Sequence, residues 1–295
     1  MSLTALCVMI VTMDELVWHD DTKKELLAFI HQPTQALLIS GEKGIGKLST
    51  AEVLIKKILN LKGEIDSYPY LMHIIPDGRL IKVEVIRQID QFLKLKVPKS
   101  TNGINRIVLI ESADSMHPSA QNASLKLLEE PPEGSLFILL TENLNALLPT
   151  VISRTNNIRI RKPLADKMIE YFKSTGYDEQ QIETALLLSD RLPGMTAQIL
   201  QDPKNHQLFG AAGYAKRILA GSDYERLVII NQLSKEYQTA INTLKIIQQM
   251  ASIVIGKGKN IQKWQKIAES AYIAESDLLI NANAKLVLSL FILNI

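Results

Sequence analysis

The hydrophobic pattern of the first half of the chain alternates between short apolar runs and amphipathic stretches. Strands are predicted for the apolar runs at 36–39, 70–75, 107–110 and 135–141. The run at 107–110 is uninterrupted and rich in branched residues, as is typical of a strand buried on both faces of a sheet. Amphipathic helices are predicted at 14–31, 49–61, 81–93 and 118–130. This alternation indicates an α/β protein.

The second half of the chain is predicted to be entirely helical. Helices are expected near 165–174, 178–189 and 194–201, and helical patterns continue from 205 onward. One apolar stripe at helical spacing consists of Ile241, Leu244, Ile246, Ile247, Met250, Ala251 and Val254. The core of a helix bundle is the simplest explanation for this stripe. An interface with another subunit requires a second stripe, for which Ile253 and Ile255 give only a hint.

Composition excludes several classes of protein. The 33 Lys and Arg residues and the 31 Asp and Glu residues nearly cancel, so no overall field favours nucleic acid or a membrane. The single cysteine, Cys7, excludes an internal disulfide and a cysteine-rich zinc module, and it is typical of the reducing cytosol. The N-terminus has no basic region typical of a signal peptide. The apolar run at 286–293 is too short for a membrane span, which takes about 20 residues. We therefore expect a cytoplasmic protein with no membrane partner.

A glycine-rich loop follows the first predicted strand. Its residues are Gly41, Gly44, Gly46, Lys47, Leu48 and Ser49. A strand, a GxxxxGK loop and a helix together are typical of a phosphate-binding loop, in which backbone amides and the lysine bind nucleotide phosphates. Leu48 stands where the Mg²⁺-binding Ser or Thr is expected, and Ser49 lies one position late. The loop therefore either binds ATP or ADP without a proper magnesium site or is a vestige kept for its turn geometry.

Acidic residues follow the third predicted strand. An ATPase of this type needs an Asp that holds Mg²⁺ and then a Glu that activates water. The chain has Glu111 and then Ser112, and serine cannot act as a carboxylate base. Glu111 and Asp114 are therefore interpreted as capping the next element. Thr141 closes the next strand and either senses a γ-phosphate or is an ordinary polar strand end.

Charged residues elsewhere allow two interpretations each. Arg154 follows a short apolar run and is expected at the edge of the sheet, where an arginine is usually solvated or in a local ion pair. Glu129 and Glu130 end a predicted helix where acids oppose the dipole by about 0.3–1 kcal/mol each, a cost small enough for chance but also a hint at a partner. Two further groups are interpreted as solvated surface, with contact to nucleic-acid phosphate as the alternative. Their members are Lys94, Lys96, Lys99 and Arg106, and Lys257, Lys259, Lys263 and Lys266 around Trp264.

Four segments, in order, resemble a known family. They are LLISGEKGIGK at 37–47, the helix at 81–97, the stretch at 107–142 that includes NASLKLLEEPP, and LLPTVISRT at 147–155. The chain resembles the delta-prime family of clamp-loader subunits of bacterial DNA polymerase III, which are AAA+ proteins. The resemblance is good through about residue 200, and beyond it only the helical content and the C-terminal NANAKLVLSLFIL agree.

The resemblance implies three domains. A AAA+ P-loop-like domain spans 1–161, a three-helix lid spans 162–204, and a helical collar that mediates oligomerisation spans 205–295. It also implies a hetero-pentamer with motor subunits and a delta subunit. Through that complex the chain meets the sliding clamp and primer-template DNA during replication.

The resemblance further implies site residues. Ser153 and Arg154 match the family's Ser-Arg-Cys motif, whose arginine acts as a finger on the ATP of a neighbouring subunit, with Thr155 in place of cysteine. The zinc-binding cysteines found in most relatives are missing at 61–70, and no lid arginine occurs at 193–197. A non-hydrolysing stator that requires no cofactor and no zinc is therefore expected. The alternatives are a motor-type ATPase with degenerate Walker motifs, in which Glu111 and Ser49 substitute, and a paralogue that scaffolds another ring.

Overall fold

The computed structural model describes residues 16–61, 63–76, 80–97, 103–203, 206–256, 258 and 260–295. Cys7, Lys99, Lys257 and Lys259, on which predictions rest, lie outside these ranges. The chain divides into two compact units, one through Lys167 and the other from Met168. The finer division into a lid and a collar stays a prediction.

The first unit alternates strands and helices. Its elements in chain order are α1 (Asp20–His31), β1 (Ala36–Ser40), α2 (Lys47–Leu59), β2 (Leu71–Ile74), α3 (Val83–Leu93), β3 (Arg106–Ile110), α4 (Pro118–Glu129), β4 (Ser135–Thr141), α5 (Pro149–Ile152) and β5 (Asn156–Arg159). Short 3₁₀ turns lie at Ile65–Ser67, Ala113–Ser115 and Leu144–Ala146. The five strands form one sheet in the order β2-β3-β4-β1-β5.

Every neighbouring pair in this sheet is parallel. The C-terminal ends of the strands therefore meet at one edge, where ligands bind in open α/β sheets. Ser40 at the end of β1 pairs with Thr141 at the end of β4. The glycine loop after β1 consequently begins beside the end of β4.

One face of the sheet packs against α3 and α4. The buried residues of this core include Leu38, Ile86, Ile89, Val108, Ile110, Ala120, Leu127, Phe137 and Leu139. Within β4 every residue is buried, which is the reason that its sequence is apolar throughout 136–140. The helices on this face also bring α4 next to α5, the element that precedes Arg154.

Helix boundaries differ from the sequence predictions where a cap intervenes. Helix α1 begins at Asp20, after the non-helical residues 16–19, because the His19 side chain accepts a hydrogen bond from the Asp21 N–H and caps the helix. Helix α2 begins two residues earlier than predicted, after Gly46 with a φ of 97°.

Strand β5 was not predicted, since Asn156 and its neighbours are polar and exposed at the sheet edge.

The second unit is helical, and α6 spans the boundary between the units. The helices are α6 (Ala165–Ser174), α7 (Glu179–Leu188), α8 (Pro193–Gln201), α9 (Gln207–Ala220), α10 (Asp223–Leu233), α11 (Tyr237–Gly256), α12 (Ile261–Leu279) and α13 (Ala284–Leu293). The three helices predicted near 165–201 are confirmed to within a residue at each end. Helix α11 packs on α9 and α12, and most of its predicted apolar stripe is buried there. In the part of the chain that the structure describes, no helix has the length and apolarity to cross a bilayer.

A second apolar stripe lies on α13. Leu286, Leu290 and Leu293 follow one another at helical spacing and are all exposed. Val287 and Phe291 of the same helix are buried in the unit's core. The sequence analysis had looked for a second stripe on α11, at Ile253 and Ile255. Of these two residues, Ile253 is exposed and Ile255 is only partly exposed.

Candidate functional site

The glycine loop turns through two glycines in the left-handed region of φ. Gly44 and Gly46 have φ values of 84° and 97°, in the left-handed region that favours glycine. At Gly41 a Cβ atom would lie 3.0 Å from Ile45 Cγ2, so a side chain there would crowd the loop. The Gly41 N–H donates to the Thr141 carbonyl at 3.2 Å, which fixes the loop against β4. The predicted strand, loop and helix are therefore confirmed.

The Lys47 ammonium is held by its own chain. Its Nζ donates to the carbonyl oxygens of Gly41 at 3.0 Å and Glu42 at 2.9 Å. It also lies 3.6 Å from Glu142 Oε1. Burial lowers the pKa of Lys47, and the neighbouring Glu142 carboxylate partly offsets that effect. A phosphate group at this loop must therefore compete with Glu142 for the ammonium.

The hydroxyl groups beside the loop do not form a magnesium site. Leu48, partly buried, occupies the first position after the lysine, and its side chain has no oxygen. The Thr50 hydroxyl is buried, donates to the Gly46 carbonyl at 2.8 Å and accepts from Trp18 Nε1 at 3.1 Å. Ser49 lies about 100° further around the helix than the expected position. The position directly after Lys47 therefore offers no side-chain oxygen to Mg²⁺.

If the glycine loop binds ATP, Glu142→Gln is expected to tighten that binding several-fold. The substitution removes the carboxylate that competes with phosphate for Lys47. An ATP titration followed by Trp18 fluorescence in a Trp264→Phe background measures the effect, because Trp18 is bonded to the first turn of α2. Glu130→Gln serves as the control, and Lys47→Ala should abolish the signal. Equal affinity of Glu142→Gln and the parent chain contradicts the competition.

Glu111 is bound to a histidine on the neighbouring strand. Its Oε1 lies 2.7 Å from His73 Nε2, and His73 Nδ1 lies 3.8 Å from Asp66. The hydrogen bond with Glu111 raises the pKa of His73 against the opposing effect of burial. Burial raises the pKa of Glu52. The Glu52 carboxylate in turn adds a small upward contribution to the pKa of His73. The Glu111 carboxylate is thus directed towards β2.

Glu111→Gln is expected to lower the free energy of unfolding, and to do so most at mildly acidic pH. Because Glu111 raises the pKa of His73, its contribution is fully present below the unfolded value of about 6.5 and is lost as pH rises through the folded value. Urea unfolding of the parent chain and the variant across that range, with an NMR titration of His73, measures the effect. Glu130→Gln is the control. A stability difference that is the same on both sides of the His73 titration contradicts the pairing.

Asp114 and Thr141 bind each other across the sheet edge. The Thr141 hydroxyl donates to Asp114 Oδ1 at 3.0 Å, and the Glu142 N–H donates to the same oxygen at 3.2 Å. The interpretation of Glu111 and Asp114 as caps of the next element is wrong, because α4 is capped by the His117 side chain. The Thr141 hydroxyl, a candidate phosphate sensor, is engaged and fully buried.

Arg154 lies after α5 and binds the end of α4. Its Nε donates to Glu129 Oε1 at 2.7 Å, and its Nη2 also contacts that oxygen. Its Nη1 donates to the Thr150 carbonyl at 2.9 Å. The side chain is 32% exposed and that of Glu129 is 47% exposed. The Ser153 hydroxyl donates to the Thr150 carbonyl at 3.2 Å and is exposed. Glu129 therefore has its partner inside the chain.

Gln121 was missed by sequence reasoning and supports the segment before Arg154. It is buried in α4, and its Nε2 donates to the carbonyls of Met116 at 3.1 Å and Ala146 at 3.0 Å. Its Oε1 accepts from the Leu148 N–H at 2.7 Å, directly before α5 begins. A signal was present in the sequence, since Gln121 lies on the buried face of α4 together with Leu128.

The first basic group is tied to the chain where the structure describes it. Lys94 forms an ion pair with Asp90 at 2.6 Å. The Arg106 guanidinium donates to the carbonyls of Leu93, Leu95 and Glu133. The exposed Lys94 matches the interpretation as solvated surface. For Arg106 that interpretation is wrong, because this residue is partly buried at the start of β3 and its guanidinium binds backbone carbonyls. In the second basic group, Lys263 and Lys266 are exposed, as expected of solvated surface, and Trp264 is partly buried. No cluster of His, Cys, Asp and Glu suited to a metal ion occurs within the described ranges.

Comparison with known proteins gives the family. Residues 21–164 match the model of the family described as DNA polymerase III, delta subunit. The delta-prime subunit of DNA polymerase III from Bacillus subtilis (strain 168) is 33% identical over 152 residues, which cover 46% of this chain and 45% of that protein. The Haemophilus influenzae delta-prime subunit is 27% identical over 183 residues, which cover 57% and 55%. The chain thus spans about half the length of the curated relatives it matches.

A solved structure shares the fold. A DNA polymerase III gamma subunit-related protein from Thermotoga maritima superposes with a TM-score of 0.57 over 91% of this chain and 97% of that one, at 20% identity. The predicted fold class is confirmed, with a parallel AAA+ sheet followed by an all-α C-terminal part. Residues 21–164, most of the first unit, are therefore those of a clamp-loader subunit of DNA polymerase III, and the delta-prime subunits are among the relatives that they match.

Proposed function

We propose that this chain is a non-hydrolysing delta-prime subunit, the stator of a DNA polymerase clamp loader. It assembles with motor subunits and a delta subunit into a hetero-pentamer in the cytoplasm. It supplies Arg154 in trans to the ATP of a neighbouring motor subunit. Through the complex it helps to load the sliding clamp on primer-template DNA. It requires no cofactor of its own and no zinc.

The observation that carries the proposal is the pairing of Glu111 with His73 at 2.7 Å. Glu111 is the acid that closes β3, and Ser112 follows it where a water-activating carboxylate is needed. A carboxylate that is bound to a histidine on β2 does not polarise water at the phosphate loop. Leu48 adds a second obstacle, because it provides no ligand for Mg²⁺.

The position of Arg154 supports a role towards a neighbour. A guanidinium presents a planar fork of N–H donors that matches phosphate oxygens. Arg154 is partly exposed and bound to the end of α4, and no contact in the described part of the chain joins it to the Lys47 loop. A phosphate that it serves is thus better sought on another subunit than on its own.

The second unit carries a surface that supports assembly. Leu286, Leu290 and Leu293 expose one apolar stripe of α13, and Leu279 and Ile280 are exposed at the end of the preceding helix. Contiguous exposed apolar side chains are typical of protein interaction sites. Assembly into a hetero-oligomer would bury this stripe. The relatives reported above are named as subunits of DNA polymerase III, which supports such an assembly.

Two assays test the proposal against a motor-type ATPase. The isolated chain is expected to show no magnesium-dependent ATP turnover, and mixing with candidate motor subunits should yield a complex by size-exclusion chromatography. The formed glycine loop is the feature that favours the alternative. Turnover by the isolated chain that Lys47→Ala abolishes would establish that alternative. In the complex, the proposal is tested by Arg154→Ala, which should lower the ATP hydrolysis of the motor subunits.

A further inference from the structure

Glu129 fixes one edge of the Arg154 side chain. A single carboxylate oxygen, Glu129 Oε1, accepts from both Nε and Nη2 of Arg154. These two groups form the side edge of the guanidinium plane. The Thr150 carbonyl accepts from Nη1 at 2.9 Å. The side chain is therefore restrained by two acceptors from different elements, α4 and α5.

Part of the guanidinium remains available to bind a ligand. The group has five N–H donors. Three are engaged, one each on Nε, Nη2 and Nη1. Two therefore remain, one on each terminal nitrogen, and 32% of the side chain is exposed. A free N–H donor on each terminal nitrogen lets a guanidinium bind the oxygens of a phosphate group.

Helix α4 does not explain why an acid occupies this position. Glu129 is the last residue of α4, where a negative charge opposes the helix dipole. Glu130 follows it with the same charge, is exposed and has no ion pair to a described residue. Only Glu129 reaches Arg154. Its carboxylate thus serves the arginine and not the helix.

We infer that Glu129 is the positioning residue of the arginine finger, holding the guanidinium so that two N–H donors face the nucleotide of the neighbouring subunit. The inference rests on the proposed function. Holding a catalytic group in place acts on the rate of the chemical step, and displacements of about 1 Å cost up to about a hundredfold. Loss of Glu129 should therefore lower kcat and leave the ATP KM unchanged.

The test is the clamp- and DNA-stimulated ATPase of the assembled loader. Glu129→Ala is expected to lower kcat at the site that Arg154 serves by about tenfold. Glu129→Gln, which keeps an acceptor oxygen without the charge, should give a smaller loss. Glu130→Ala is the matched control, because it removes the neighbouring acid and leaves the Arg154 contact intact. The double variant Glu129→Ala/Arg154→Ala should be no slower than Arg154→Ala.

The outcomes separate this inference from the proposed function. If Arg154→Ala slows the loader but Glu129→Ala leaves kcat unchanged or raises it, Glu129 does not position the finger. A raised kcat would show that the carboxylate withholds the arginine instead. An additional loss in the double variant overturns the inference as well, because Glu129 then acts apart from Arg154. If Arg154→Ala has no effect, the finger itself is overturned.

Discussion

Arg154→Ala is expected to lower ATP hydrolysis by about 10³–10⁵ at the motor site that faces this subunit. A guanidinium supplied across an interface stabilises the charge that develops on the transferred phosphoryl group. The side chain is partly exposed and contributes to no buried core, so the variant should fold and assemble normally. Single-turnover hydrolysis by the assembled loader with clamp and primed DNA isolates the affected site from the remaining motor sites.

Two variants sharpen this result. Arg154→Lys keeps the charge but loses the planar fork, so we expect it to recover little of the rate. Arg159→Ala is the matched control, since Arg159 is an exposed arginine at the end of β5 in the same unit. An assembled loader that hydrolyses ATP equally fast with alanine at 154 would remove the finger role. Failure of that variant to assemble would instead assign Arg154 to the interface itself.

Gln121→Met is expected to lower the free energy of unfolding of the first unit by about 3 kcal/mol. Methionine has nearly the same shape but cannot replace the three hydrogen bonds of Gln121. The Leu148 N–H would lose its acceptor, and the carbonyls of Met116 and Ala146 would lose a donor. Buried polar groups without partners cost about 1–3 kcal/mol each. Urea denaturation followed by circular dichroism measures the shift in midpoint.

Gln88→Met is the control for this substitution. Gln88 is exposed on α3 in the same unit, so its replacement should change stability little. Because Gln121 holds the residue that precedes α5, its loss should also lower hydrolysis in the assembled loader. A midpoint for Gln121→Met equal to that of Gln88→Met contradicts the role given to the three bonds.

Much of the fold was predictable because its signals are local. Strand β4 at 135–141 matches its apolar run to the residue, and α6 matches its predicted bounds. An apolar run of that kind has one stable location, the interior of a covered sheet. The phosphate-loop geometry was also predictable, since glycines at 44 and 46 allow a turn that other residues avoid. Strand β5 was missed because its polar residues lie at the sheet edge.

The sequence by itself determined the α/β core, the helical second half, the glycine loop and the family motifs around Arg154. Only the tertiary structure decided which polar and charged side chains meet. Glu111 pairs with His73 across 38 positions, Thr141 with Asp114 across 27, and Arg154 with Glu129 across 25. These partners come from different elements, and their meeting depends on strand register and on the packing of α4 beside α5. The physical reason is that a charged or polar side chain has many acceptable partners, whereas a buried apolar run has only one acceptable environment.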